Sequence, residues 1–336
     1  MIDSHAHLVT DDPAYPYDPP GGTVSDAVRH DPMTAERLLA ALDAHGLSAA
    51  VAVQRAHVYG YDNSYVVDAA ARHPDRLRAM CVIDARASDA AKTVRRWAER
   101  GAVAMRLTSP GGDQHGGTPG AGWFAGPAAL EVWRQVSELG LSMCLHLYRW
   151  NRDESLRALP AVARAFPGTP VVLDHVASVE AHRAEPVPGT PVVLDHVASV
   201  EAHRAEPVPG AAGLLALADL PQVHVKVTTL NFARISAAGV APSVVVEWLV
   251  SRFGAERVLW GSDVTQTAGT YADMARIARE SVAGLPARDA ALVLGGTAAA
   301  LYGFPPLPQT GEPGPQAAEP GPQAGEGGAE AGEHAG

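Results

Sequence analysis

Cysteine is almost absent from the 336 residues: only Cys81 and Cys144 occur, each inside an apolar run. No disulfide framework is implied, and both thiols are expected to be buried as small hydrophobes. Long hydrophobic runs are missing too. None approaches the ~18 residues of a membrane span, and the N-terminus lacks the basic-then-apolar order of a secretion signal. A cytoplasmic protein that does not enter a membrane is therefore expected. Basic charge is scarce, with 26 Lys and Arg against 37 Asp and Glu and a formal net charge of −11. Glu312, Glu319, Glu326, Glu330 and Glu333 lie in a tail with no Lys or Arg, and setting these five aside leaves −6. A mildly acidic body argues against a nucleic-acid-binding surface. Also missing is a Gly-x-Gly-x-x-Gly fingerprint after the first apolar run, which disfavours a doubly wound open sheet, the runner-up fold.

What is present is a repeating beat: an apolar run, a loop, an amphipathic segment ending in Gly or Pro, then another apolar run. Strands are expected at 2–8, 47–54, 77–84, 102–107, 141–147, at a Val-Val-Leu-Asp-His segment, and at 223–229 and 257–263. Helices are expected at 34–45, 64–73, 88–100, 127–139, 154–166, 270–282 and 287–302. Eight strands alternating with helices predict a (β/α)8 TIM barrel over 1–304. Residues 9–33 are rich in Pro, Gly, Asp and Tyr, forbid regular structure, and read as a lid or substrate-contact loop. Residues 305–336 are Pro, Gly, Gln, Ala and Glu, cannot bury enough apolar surface to offset their ordering entropy, and read as a disordered tail.

Ile2-Asp3-Ser4-His5-Ala6-His7-Leu8 organises the rest, because histidines two apart on a strand project to the same side. His5, His7, Gln54, Arg106, His146, the histidine of the sixth strand and Asp263 all fall at C-terminal strand ends. In a barrel those ends meet at one face, where active sites are built. The sixth strand is ambiguous because 167–187 and 188–208 are identical, so His175 and His196 compete for one position. A solenoid would need several diverged units. The flanks favour the second copy and His196, because a first-copy strand would leave 21 extra residues to crowd the active-site face.

Taken together these positions resemble the amidohydrolase-related branch of the amidohydrolase superfamily, and within it the lactonases of the 2-pyrone-4,6-dicarboxylate type. The resemblance is carried by Asp3-Ser4-His5-Ala6-His7, Tyr15-Pro16-Tyr17, Val53-Gln54, Tyr59-Gly60-Tyr61-Asp62-Asn63 and Met105-Arg106-Leu107. It continues through Leu145-His146-Leu147, the Leu-Asp-His segment, Val225-Lys226-Val227-Thr228, Trp260-Gly261-Ser262-Asp263 and the closing Ala298-Ala299-Ala300-Leu301-Tyr302-Gly303. Two departures are Val-Ala after the sixth-strand His, where the family has a hydrophobe and Gly, and Thr297 in place of Asn.

The resemblance implies a mononuclear metal site of His5, His7, His146 and Asp263, with Asp263 as general base. Imidazole nitrogens and one carboxylate suit Zn²⁺ with a position open for water, although lactonases of this type use a metal inconsistently. His196 or His175 would stabilise charge or assist proton transfer. Arg106 would bind a substrate carboxylate through its two parallel donors, with Gln54, Tyr148, Arg149 and Tyr59 or Tyr61 as further contacts. His57, His73, His115, His182 and His203 read as surface or loop residues. The function implied is hydrolysis of a lactone or similar cyclic ester of a small carboxylated molecule. The alternatives are a metal-dependent non-oxidative decarboxylase of an unsaturated or aromatic acid, and a barrel that binds ligands without turnover. The partner expected is the small substrate, with oligomeric state left open.

Overall fold

Each apolar run becomes a parallel strand: β1 Ile2–His7, β2 Ala49–Val53, β3 Leu77–Val82, β4 Ala102–Thr108, β5 Ser142–His146, β6 Val171–Asp174, β7 Val223–Thr228 and β8 Val258–Gly261. They neighbour one another in chain order, and with helices around them they form a (β/α)8 TIM barrel. The computed structural model describes residues 1–108, 121–147, 151–176, 212–237 and 239–305.

Strand alternation divides the core in two. Ile2, Val51, Val53, Met80, Cys144, Val172 and Leu259 point inward and pack with Ala298, Tyr302 and Phe304. Ala50, Ala52, Met105, Leu107, Leu145, Leu173 and Val225 point outward against the helices. The last helix therefore plugs the N-terminal end of the barrel and leaves the C-terminal end as the open mouth. Cys81 and Cys144 are both buried and free. No single helix among the described residues is long and apolar enough to cross a membrane.

The seam between β8 and β1 is closed partly by a side chain. Beside a bridge from Ala6 to Val264, the Asp3 carboxylate accepts from Ser262 N at 2.8 Å, His5 N at 3.0 Å and the Tyr271 hydroxyl at 2.8 Å. Gly261 permits this approach, because a Cβ there would sit 2.5 Å from His5 Cβ.

Helix ends follow their capping chemistry. Thr34 accepts from Arg37 N, Gly46 takes φ +68° past the end of that helix, and Thr270 with Asp273 forms a capping box. Two expectations need correction. The single helix at 287–302 is instead Ala287–Ala291, a π-helical turn Leu292–Gly296 and Thr297–Tyr302, because Gly295 leaves helical geometry. Residues 9–33 contain a short helix, Asp26–His30, and are pinned by Val9 N to Met33 O at 2.9 Å and Asp18 N to Val58 O at 2.9 Å.

The first copy of the duplicated stretch supplies β6, contrary to the expectation that favoured the second. A short connection joins helix Arg152–Ala165 to Val171, and its end is already held by Met143 N on Pro170 O at 2.8 Å and Val171 N on Gln222 O at 2.9 Å. Short connections of this kind cost less loop-closure entropy. The extra 21 residues then fall in the sequence between β6 and β7, on the side where barrels tolerate insertions. His196 lies outside the described residues, as do Tyr148, Arg149 and the 306–336 part of the tail.

Candidate active site

β1 brings His5 and His7 to the mouth, with Nε2 atoms 3.3 Å apart. His7 Nδ1 lies 2.9 Å from Val53 O, and a carbonyl only accepts, so Nδ1 carries the proton and Nε2 presents a lone pair. His5 Nδ1 faces Asp174 Oδ1 at 3.5 Å, which orients its Nε2 the same way. Asp263 completes the group, with Oδ1 3.4 Å from His7 Nε2 and 3.8 Å from His5 Nε2. That oxygen is buried and has no hydrogen-bond donor among the described residues.

Three acceptors therefore face one another with nothing between them to share. Donors on one tetrahedral ion at ~2.1 Å stand about 3.4 Å apart, so this arrangement fits a divalent cation. His175 joins it: ligand atoms of His5, His175 and Asp263 lie within 4.8 Å of one another. His146, expected as a ligand, stands beside the cluster, its ring centroid 5.0 Å from that of His175. Its Nδ1 lies 3.0 Å from Arg106 Nη2, and because guanidinium only donates, a neutral His146 carries its proton on Nε2. In this tautomer Nε2–H is a hydrogen-bond donor.

Only His175 at +56°, Asp263 at +53° and Thr265 at +78° hold positive φ without being glycine among the described residues. Each follows a strand that points into the mouth. Strained backbone concentrated where side chains must turn inward is the pattern of a functional site.

Burial keeps the histidines neutral. It pushes His5 down to about 4 against the pull of Asp174, and His175 down to about 3 against that of Asp263. His7 and His146 lie well below their ordinary value through burial first, then Arg55 for His7 and Arg106 for both. In the metal-free protein the unfolded chain therefore binds protons first as pH falls below about 6.5. Stability should drop by roughly 1.4 kcal/mol per pH unit for each such histidine between there and the folded values. Denaturant unfolding at pH 7, 6 and 5 measures this, and a flat profile would contradict it.

Under this cluster lies a buried ion network that the sequence did not announce. Asp174 Oδ2 accepts from Arg106 Nε at 2.8 Å and from Cys144 Sγ at 2.9 Å, while Lys226 Nζ stands 3.0 Å from Oδ1. Burial alone would raise the Asp174 carboxyl, but Lys226, His5 and Arg106 hold it well below the usual carboxylate range. Arg106, expected to take a substrate carboxylate, is thus engaged by Asp174. Two other expected contacts also bond the scaffold: Gln54 Nε2 donates to Gly60 O and Asp62 O at 2.9 Å each, and the Tyr59 hydroxyl accepts from Thr10 N at 2.9 Å. His175 is in the cluster, its Nδ1 3.1 Å from Thr228 Oγ1. That hydroxyl donates onward to Asn231 Oδ1 at 2.9 Å, so Nδ1 of His175 carries its proton. Asp174, Lys226, Arg55 and Asp3 went unnamed as site residues. The visible signal was alternation, which puts Lys226 on the opposite face from Val225 and Val227.

Neutral imidazoles around a carboxylate thus stand at the mouth of an eight-stranded barrel, the face where barrel active sites are built. The chain belongs to the amidohydrolase family, whose model matches residues 2–186 and 179–304, two segments that overlap inside the duplicated stretch. No curated protein matches significantly. Among solved structures, a probable 2-pyrone-4,6-dicarboxylic acid hydrolase from Acinetobacter baumannii, with citric acid bound, is 21% identical. It covers 90% of this chain and 99% of its own, with a TM-score of 0.66. The 5-carboxyvanillate decarboxylase from Sphingomonas paucimobilis is 14% identical over 91% of this chain and 99% of its own, with a TM-score of 0.58. A dihydroxybenzoic acid decarboxylase from a Polaromonas species, with bound manganese and an inhibitor, is 15% identical over 90% and 96%, with a TM-score of 0.59. At these identities the likeness is one of fold.

Proposed function

We propose that the chain is a hydrolase that opens a lactone or similar cyclic ester of a small carboxylated molecule with water activated by Asp263. The observation that carries this is Asp263 Oδ1, a buried carboxylate oxygen without a donor, aimed at His5 and His7. An ionised carboxylate so placed accepts a proton from water as the oxygen attacks the ester carbonyl. His146 Nε2–H donates to the carbonyl oxygen as negative charge gathers there, and Arg106 holds that tautomer. Breaking the ring C–O bond yields a carboxylate and a hydroxyl, with one proton released to solvent near neutral pH. A divalent cation such as Zn²⁺, held by His5, His7, Asp263 and His175, would polarise the carbonyl and acidify water.

Acid release followed with an indicator dye in weak buffer, over a panel of carboxylated and sugar lactones with and without a chelator, tests the reading. Release from a carboxylated lactone supports it, and loss with chelator makes the cation essential. A second reading rests on the same donor set, since several of the similar barrels are decarboxylases and two of those hold manganese. Strictly metal-dependent CO₂ release from a hydroxybenzoate, with no acid release from any lactone, would replace the hydrolase reading. Ligand binding without either reaction would indicate a barrel that has lost turnover.

A further inference from the structure

The charges at the mouth do not cancel. Arg106 and Lys226 share Asp174, at 2.8 and 3.0 Å. Arg55 has no carboxylate of its own within ion-pair distance among the described residues. It follows β2, is 7% exposed, and reaches across the mouth so that Nη1 donates to Thr265 Oγ1, two residues beyond Asp263. Its Nε is buried with no hydrogen-bond partner among the described residues. Thr265 is itself held at φ +78°, one of three non-glycine positions with positive φ among the described residues.

This geometry fixes which part of the guanidinium is on offer. An arginine presents a carboxylate with two parallel N–H groups along one edge, and one such edge is Nε with its neighbouring Nη. Thr265 ties Nη1 and leaves the Nε edge. A buried guanidinium with unmatched charge is destabilising unless a partner meets it.

We infer that Arg55 is the residue that anchors a carboxylate of the substrate, beside the reacting carbonyl, and that Arg106 is a positioning residue for Asp174 and His146. The assignment rests on the hydrolase reading for the reaction, but its binding component stands apart from turnover. It also sets a specificity rule: the ligand carries its anionic group on the β2 and β8 side of the mouth, and a neutral ester of the same shape loses that contact.

The test titrates citrate, a small polycarboxylate, and triethyl citrate, its neutral ester, into wild type, Arg55→Met and Arg55→Lys by calorimetry, with melting temperatures taken alongside. Citrate should bind wild type and lose at least tenfold in affinity in Arg55→Met. Arg55→Lys should recover part of the loss, because the charge returns without the forked geometry. The ester should show no preference for wild type over Arg55→Met. Melting temperature in Arg55→Met should hold or rise, since an unmatched buried charge is removed. The inference is overturned if Arg55→Met, still folded, binds citrate within twofold of wild type, or if folded wild type does not bind citrate. Citrate binding that depends on Arg55 in a protein that opens no lactone would sustain this inference and sink the hydrolase reading alone. Lactone turnover unchanged in kcat/KM by Arg55→Met would do the reverse.

Discussion

Asp263→Asn should lower kcat for lactone opening by about 10³-fold, within the 10²–10⁴ range of a general base, and leave the fold intact. Asparagine has the same shape, but its amide cannot take a proton from water. It also tolerates the left-handed backbone that this position requires, at φ +53°. The backbone contacts that set the turn survive, with Asp263 N on His5 O at 2.8 Å and Thr267 N on Asp263 O at 2.9 Å. No hydrogen bond to Oδ1 is lost among the described residues, because none is made there. The melting temperature should therefore stay within a few degrees of wild type. Metal content after dialysis should fall too, since one of the converging acceptors loses its charge. Retention of a tenth or more of wild-type kcat would rule Asp263 out as the base.

Asp174→Asn should cost about 3–5 kcal/mol of stability, the scale for breaking a buried ion pair by removing one partner. Lys226 is fully buried and Arg106 nearly so, and both rely on this carboxylate. With the charge gone, Lys226 must shed its proton or admit water. A double-mutant cycle isolates the effect. Lys226→Met with Asp174→Asn should be less destabilised than the sum of the single variants, because the second change removes the charge stranded by the first. Chemical denaturation of the four proteins measures it, and additivity within about 0.5 kcal/mol would show that the two side chains do not depend on each other.

Most of the barrel was legible because each strand is a run of apolar residues ending in a polar one, and that local pattern is fixed by burial alone. His5, His7 and Asp263 were legible for the same reason, standing at the ends of such runs. What escaped depended on partners distant in the chain. Asp174 and Lys226 are 3.0 Å apart on neighbouring strands but separated by a long connection, and nothing local to either says that they pair. Arg106 stands at the mouth as expected, but its pairing with Asp174 was not readable, since a guanidinium facing a carboxylate looks alike in sequence whether the acid belongs to a ligand or to β6. The His146 contact with Arg106 likewise joins side chains on two different strands. The choice between His175 and His196 lay beyond any pattern, as the two copies are identical, and closure of the chain into β6 decided it.

The first copy's hold on β6 has a genetic consequence. Asp174 and His175 come from residues that reappear unchanged further along, so any in-register recombination between the copies removes 21 residues and gives the same shorter protein, wherever the crossover falls. Reversion to a single copy thus keeps the sequence of β6 from Val171 to Asp174, and His175 after it. Until that happens the second copy is released from the duties of β6, and substitutions should accumulate there before they are tolerated in Val171, Val172, Leu173, Asp174 or His175.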